Sequence, residues 1–434
     1  MKIEINDNKK WQHSLTLKIV LLAVMGLFLL IPLEMIKSII LERQQTSEKV
    51  RQEIAMQWAG KQNVSGPVLN IPVKIFPGEE KAQPYKVLYH IMPEVLNISG
   101  TVQTEKRHRS IYEAVVYNSS LIFSGEFLIP EINSDQKSEI LWEDSYFTVG
   151  ISDNRGLKGG VIMKTGITEV DAVPGLRDTE IFNSGISFPF FVKEPEKTIP
   201  FELSLSLSGS EDLSFSPVGK TTSVSLSSSW PSPGFNGNFL PAERTVDDSG
   251  FKASWLITNL NRNFPQIWPG NEFKPGNDSF GVEFVLLADH YQKSFRSSKY
   301  GILFIALTFL ALIFAEMSAR ENLHILSYLL VSLALVLFFS LLNALSEQIG
   351  FNYAYLAAAG STITMIFFFL RALVKKIKPV LLIGALLAFL YVFIYVLLTL
   401  NDYAYLAGNI GLFVLLAVTM GFSIKLKAFR SQQD

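Results

Sequence analysis

Three short motifs carry the residue types of serine acyl chemistry: Ser134-Asp135-Gln136-Lys137, Ser152-Asp153-Asn154 and Lys164-Thr165-Gly166. In that order they match the Ser-x-x-Lys, Ser-Asp-Asn and Lys-Thr-Gly signatures of penicillin-recognising enzymes. There the first motif opens a core helix, the second comes from a helical domain and the third from a sheet strand, so the three lie far apart in sequence. Here all three fall within residues 134–166, and Ser134 stands in a polar stretch after Pro130 with no helix of its own. The context the chemistry requires is missing, and no catalytic residue is assigned.

Metal and phosphate chemistry find less support. The five histidines, His13, His90, His108, His290 and His324, are scattered, cysteine is absent, and no His-Glu-x-x-His spacing occurs. His90, between apolar neighbours, reads as a satisfied strand position. Neither a Gly-x-x-x-x-Gly-Lys loop nor a Gly-x-Ser-x-Gly elbow is present, so no metal or cofactor is expected. A different candidate is an aromatic and proline-rich patch of Trp230, Pro231, Phe235, Trp255 and Trp268, since exposed aromatics anchor interfaces. The plainer reading of the same residues is rigid loops packed on a β domain.

The elements that must carry these residues fall into two kinds. Residues 68–287 alternate apolar and polar positions in short runs bounded by Gly, Pro, Asn and Ser, the signature of strands. Phe201-Glu202-Leu203-Ser204-Leu205-Ser206-Leu207 is the cleanest case, with one apolar face and one of Ser and Glu. Such a strand belongs to a sheet wet on one side. The Ser-rich segment 204–229 keeps Leu, Phe and Val interleaved, which argues against a disordered linker. A β-rich, sandwich-like domain is expected.

Five apolar runs follow, at 300–315, 325–345, 353–373, 379–400 and 403–424, and a sixth stands near the N-terminus at 19–33. A membrane-crossing helix needs ~20 apolar residues, and a soluble helix would interrupt such runs with a polar face. The chain is 49% hydrophobic and 18% charged. The fold class is therefore a membrane protein with six transmembrane helices, one N-terminal and five C-terminal, and a large exported β-rich domain. No small-x-small cleavage site follows the first run, so it reads as an uncleaved anchor, continued by a polar helical stalk.

Basic residues near short loops stay cytoplasmic. Arg320, the group Arg371, Lys375, Lys376 and Lys378, and the group Lys425, Lys427 and Arg430 then fall on one side, while the loops near Glu347 and Asp402 hold no Lys or Arg. Both termini are expected in the cytoplasm. The expected division is 1–16 cytoplasmic, 17–40 anchor, 41–60 stalk, 61–298 exported domain, 299–424 five-helix block and 425–434 cytoplasmic. Residues 41–299 hold 25 Lys and Arg against 31 Asp and Glu, a net charge of −6 that suits neither nucleic acid nor anionic surfaces.

Ionisable groups in hydrocarbon are costly and usually functional. Glu316, His324, Glu347 and Asp402 all fall at run ends and read as interfacial caps and anchors, while the deeper Asn343 and Asn409 suit helix-to-helix hydrogen bonds. The basic, aromatic stretch 291–300, with Arg296, Lys299 and Tyr300, reads as a junction turn at the headgroup level.

Along nearly its whole length the chain resembles the CreD family of bacterial inner-membrane proteins. The resemblance rests on Trp58, Gly60, Gln62 and Gly66-Pro67-Val68-Leu69-Asn70-Ile71-Pro72, on Ser152-Asp153-Asn154-Arg155-Gly156, on Ser229-Trp230-Pro231 and Gly250-Phe251-Lys252-Ala253, and on Arg296-Ser297-Ser298-Lys299-Tyr300-Gly301. Glu316, His324 and Leu345-Ser346-Glu347 extend it. Ile325 stands where the family often has Pro, and Gln348 where a His is common. The resemblance implies an association with envelope integrity, with tolerance to certain colicins and with a two-component system that bears on β-lactam response. It brings no catalytic residue or ligand. Membrane lipids and an unidentified envelope protein or cell-wall component are the expected partners, with a transporter or lipid-handling protein as the alternative and an enzyme acting on envelope material as a lesser one.

Overall fold

The computed structural model describes residues 8–76, 83–129, 137–166, 168–190, 197–286, 290–319 and 323–399, with single positions between 406 and 420. Two compact units divide the chain: a helical unit of Met1–Thr46 with Ala288–Asp434, and a β unit of Ser47–Leu287. The chain leaves the helical unit once and returns once.

In the helical unit the apolar runs become helices because only internally closed backbone hydrogen bonding suits hydrocarbon. Four stretches among the described residues are long and apolar enough to cross a membrane: Val20–Trp58, Ile325–Ile349, Phe351–Leu373 and Ile377–Thr399. Within the first, helix Asn8–Phe28 passes to helix Leu30–Trp58 at Leu29. Pro32 lies three residues on and has no N–H to bond the carbonyl of Phe28. Gly350, with φ of 75°, closes Ile325–Ile349 and lets Phe351–Leu373 start at once. Pro379 is tolerated in the first turn of Ile377–Thr399, where its missing N–H is not needed. The sixth expected run, 403–424, lies outside the described residues apart from single positions.

The stretch 291–300 differs from the expected turn. It forms helix His290–Lys299, bent by 43° from Gly301–Ile313, and the pair would make a fifth crossing if it acts as one span. Tyr291, Ser294, Ser297 and Ser298 are buried at helical spacing, a stripe of small polar groups that hydropathy alone does not register. This helix belongs with the helical unit, so the change of unit comes before it rather than at residue 299.

Packing in this unit centres on an aromatic cluster. The rings of Phe304 and Phe338 each lie 4.7 Å from that of Tyr391, and Tyr355 Oη donates to the Tyr391 carbonyl at 2.8 Å. Ala354, Ala358 and Ala359 give Phe351–Leu373 a smooth buried face, which lets helix backbones approach closely.

The β unit is built from two sheets that share one core. The larger runs Pro233–Gly237, Phe280–Phe284, Asp212–Phe215, Gln62–Phe76, Tyr146–Ile151, Gly185–Pro189 and Val173–Pro174, with Tyr85–Ile91 and Lys137–Ile140 also on the long Gln62–Phe76 strand. That strand shifts register between Ser65 and Val68, around Gly66 and Pro67. The second sheet runs Glu243–Asp247, Gly250–Thr258, Thr221–Ser228, Val95–Arg109, Tyr112–Leu128, Thr198–Ser210, Ile162–Thr165 and Thr168–Asp171. Phe123 and Phe127 of this sheet meet Phe215 and Phe147 of the first at 6.5 and 5.3 Å between ring centroids. Period two sends every second side chain inward, so Leu203, Leu205 and Leu207 are buried while Glu202, Ser204 and Ser206 face out.

Candidate functional site

The aromatic patch expected from sequence is not a surface. Trp230, Trp255 and Trp268 are 8%, 2% and 3% exposed and belong to the β core. Phe251, Ala253, Trp255 and Ile257 are the inward positions of strand Gly250–Thr258, which is why Trp255 is buried. Trp268 packs between Phe264 and Phe273, and Trp230 Nε1 donates to the Ser232 carbonyl at 3.1 Å. Phe235 is half-buried against Phe251 and Trp255, leaving Pro231 as the exposed member. Proline stands beside Trp230 and Trp268 and marks turns there, while Trp255 is turned inward by the alternation of its strand.

The penicillin-like triplets are structural where they are described. Asp153 accepts from the backbone N–H of Gly60 at 3.2 Å and of Arg155 at 3.0 Å, and from the Arg155 guanidinium at 2.6 Å. Gln62 clasps the same turn, taking Asp153 N–H at 3.1 Å and giving to the carbonyls of Asp153 and Ser208. Ser152 Oγ accepts from Asn63 N–H, and Lys164 pairs with Glu169 across a strand pair. Ser134 lies outside the described residues. The motif fastens the chain after Trp58 to the end of strand Tyr146–Ile151 in the larger sheet, with Gln62 reaching across to Ser208 of the second. Trp58 itself donates to the Tyr117 carbonyl at 3.3 Å and is flanked by Arg107 and Lys158.

His90 is a fully buried strand residue, with Nδ1 2.7 Å from Asn70 Oδ1 and Nε2 3.2 Å from Glu180 Oε2. Burial holds its pKa below the ordinary value, opposed by the hydrogen bond to Glu180 and by the charge of Asp178.

In the helical unit, polar residues close on one another. Lys18 Nζ meets both Glu316 carboxylate oxygens at 2.6 Å and the Leu323 carbonyl at 2.8 Å, and Tyr328 Oη donates to Glu316 at 2.7 Å. His324 caps Ile325–Ile349 by accepting the Leu326 N–H at 3.2 Å, and Glu347 accepts from Tyr291 Oη at 3.2 Å. His324→Ala should therefore cost about 1 kcal/mol, the value of one lost cap, read as a lower Tm of the solubilised protein. Asn343 is buried, but its Oδ1 has no partner among the described residues, so the expected helix-to-helix bond is not made by that oxygen. Asn409 is a helical, exposed position, and Asp402 lies outside the described residues. Arg296 and Lys299 occupy the last turn of His290–Lys299, where cations complement the helix dipole, and Tyr300 follows, packed on the helical core.

What is left uncommitted is the outer face of the second sheet. Register places Ser206, Ser120, Thr101, Ser227 and Lys252 in one row across five strands, and Ser204, Ile122, Ser99, Ser225 and Ser254 in the next. A concave trough of ≈ 600 Å³ runs over these rows. A second, of ≈ 630 Å³, adjoins it through Thr101, Ser227 and Lys252 and reaches Asp247. Serines elsewhere in the unit serve the fold: Ser119 donates to Leu207 O, Ser210 to Ala59 O and Ser65 to Ser216 Oγ. In contrast, among the described residues the hydroxyls of Ser99, Thr101, Ser120, Ser204, Ser206, Ser225 and Ser227 bond to no protein group. Sequence reasoning missed this face, although the alternation in 201–207 and the Ser-rich 204–229 carried its signal.

Comparison with known proteins agrees with this architecture. Inner membrane protein CreD of Escherichia coli (strain K12) is 32% identical over 409 residues, covering 91% of this chain and 89% of that protein. The family model for Inner membrane protein CreD matches residues 14–428. With an apolar N-terminal helix, three apolar C-terminal helices and a large β-rich unit between them, the chain belongs to the CreD family of inner membrane proteins.

Proposed function

We propose that this protein supports cell-envelope integrity by presenting its β unit, on the periplasmic side, to another component of the envelope. Six helices with both termini cytoplasmic anchor it among membrane lipids. The observation that carries the reading is the field of unengaged hydroxyls on the second sheet, in contrast to Gln62, Asp153, Lys18 and Glu316, whose polar groups are used in holding the fold. A binder needs a surface and an anchor, and both are available. The Lys and Arg of 371–378 and 425–430 support this orientation, since basic residues near short loops stay cytoplasmic and these do so when the β unit is exported.

The alternative, a transport or lipid-handling path through the helices, has a shallow apolar groove of ≈ 410 Å³ beside Leu337, Phe338 and Met365 in its favour. Against it stands Glu316, whose carboxylate is already bound by Lys18 and Tyr328. Reporter fusions test the topology on which the proposal depends. Alkaline phosphatase joined after residue 119 should be active and joined after residue 376 inactive; the reverse pattern would place the β unit in the cytoplasm and end the proposal.

A further inference from the structure

The trough on the second sheet has a chemistry that selects its occupant. Its walls are hydroxyls, each able both to donate and to accept, set at the spacing of neighbouring strands, roughly 4.8 Å, and of alternate residues along them, roughly 6.8 Å. Lys252 is the cation in its lining and Asp247 the anion at its far end, so the trough has no field to hold a polyanion or a polycation. It lies on the face of the sheet rather than on an edge, where backbone groups are already paired, so a peptide has no ladder to extend by strand addition. Ile122, 48% exposed, lies among the hydroxyls as an apolar patch. Two adjoining troughs that share residues make a run suited to a chain rather than to a single small molecule.

We propose that this face binds a glycan chain, with Ser99, Thr101, Ser120, Ser225 and Ser227 exchanging hydrogen bonds with sugar hydroxyls, Ile122 under a ring's C–H face, and Lys252 on a carbonyl or carboxylate oxygen of the sugar. The inference rests on the envelope-binding reading and names the class of ligand for it. Polyhydroxylated chains match this surface because every ligand hydroxyl can take either role, as every wall hydroxyl can. A surface of that kind is also indifferent to net charge.

The test uses the detergent-solubilised full chain and two soluble probes, chitotetraose and cellotetraose, followed by saturation-transfer NMR and calorimetry. Saturable binding is expected, tighter for chitotetraose because its N-acetyl carbonyls offer Lys252 an acceptor. Thr101→Val with Ser225→Val should weaken it by ~10-fold or more, two lost hydrogen bonds, while the melting temperature stays put because these hydroxyls hold nothing in the fold. Absence of saturable binding of either probe, or binding that survives the double substitution, would overturn the proposal. A photo-crosslinking amino acid at position 122 in living cells separates this failure from that of the broader reading. A glycan adduct supports both, a recurrent protein adduct removes the glycan and keeps an envelope partner, and no adduct of any kind counts against both.

Discussion

Lys18→Met should lower the stability of the helical unit by about 3–5 kcal/mol, because it leaves the Glu316 carboxylate enclosed without its cation. The side chains of Lys18 and Glu316 are only 17% and 14% exposed, so water replaces the lost partner poorly. All three ammonium protons have acceptors, the two oxygens of Glu316 and the carbonyl of Leu323, and Tyr328 completes the carboxylate's shell. The lysine also lies 5.1 Å from the Tyr328 ring centroid, so one cation serves three elements. Glu316→Gln should cost less, since its amide retains hydrogen-bonding capacity and a lysine near the end of an apolar run can extend toward water. The double variant Lys18→Met with Glu316→Met should recover most of the loss, as paired charges replaced by apolar groups of similar volume often break even. Thermal unfolding of the solubilised protein, read across the three variants, measures this. Additive losses in the double variant would mean that the two residues act independently.

This pairing also marks where sequence reading runs out. Lys18 and Glu316 stand 298 positions apart, and no local pattern links them; only the end positions of both apolar runs were visible. Periodicity, by contrast, carried the helices and strands well, because the period-two and unbroken-apolar signals are local. It located Ile325–Ile349, Phe351–Leu373 and Ile377–Thr399 within a few residues and kept the Ser-rich segment ordered, where strands Thr198–Ser210, Asp212–Phe215 and Thr221–Ser228 now stand. Two misreadings share a cause. Tyr291 to Tyr300 looked like a turn because most of its buried face is serine, and the aromatic candidate looked like a surface because Trp230 and Trp268 stand beside proline. In each case composition was given more weight than spacing. Strand Gly250–Thr258 shows the remedy, since its alternation assigns Trp255 inward and Lys252 outward at once.

Spacing of the Ser-Asp-Asn triplet leads to the other large effect. Asp153→Ala should destabilise the β unit by about 2–4 kcal/mol: the cap on the Arg155 N–H, worth about 1 kcal/mol, and the charged hydrogen bond from the Gly60 N–H, worth about 1.5–3 kcal/mol, are lost together, while the exposed guanidinium of Arg155 adds little. Gln62 would keep its bonds to Ser208 and to the backbone of residue 153, so the turn loosens rather than detaches. The carboxylate also has a pH signature. The hydrogen bond from Arg155 holds its pKa down to about 2, opposed by partial burial and aided by the N–H groups of Gly60 and Arg155. A carboxylate depressed by folding contributes stability that is complete above the unfolded value near 4 and is lost as pH falls from there toward 2. Wild-type Tm should therefore fall through that window, and Asp153→Asn, already lower at neutral pH, should fall less steeply because it has no proton to gain. Parallel acid limbs in the two proteins would show that the Arg155 pair contributes nothing in solution. A shallower limb in the variant would identify the turn after Ile151 as a place where acid loosens the sheet.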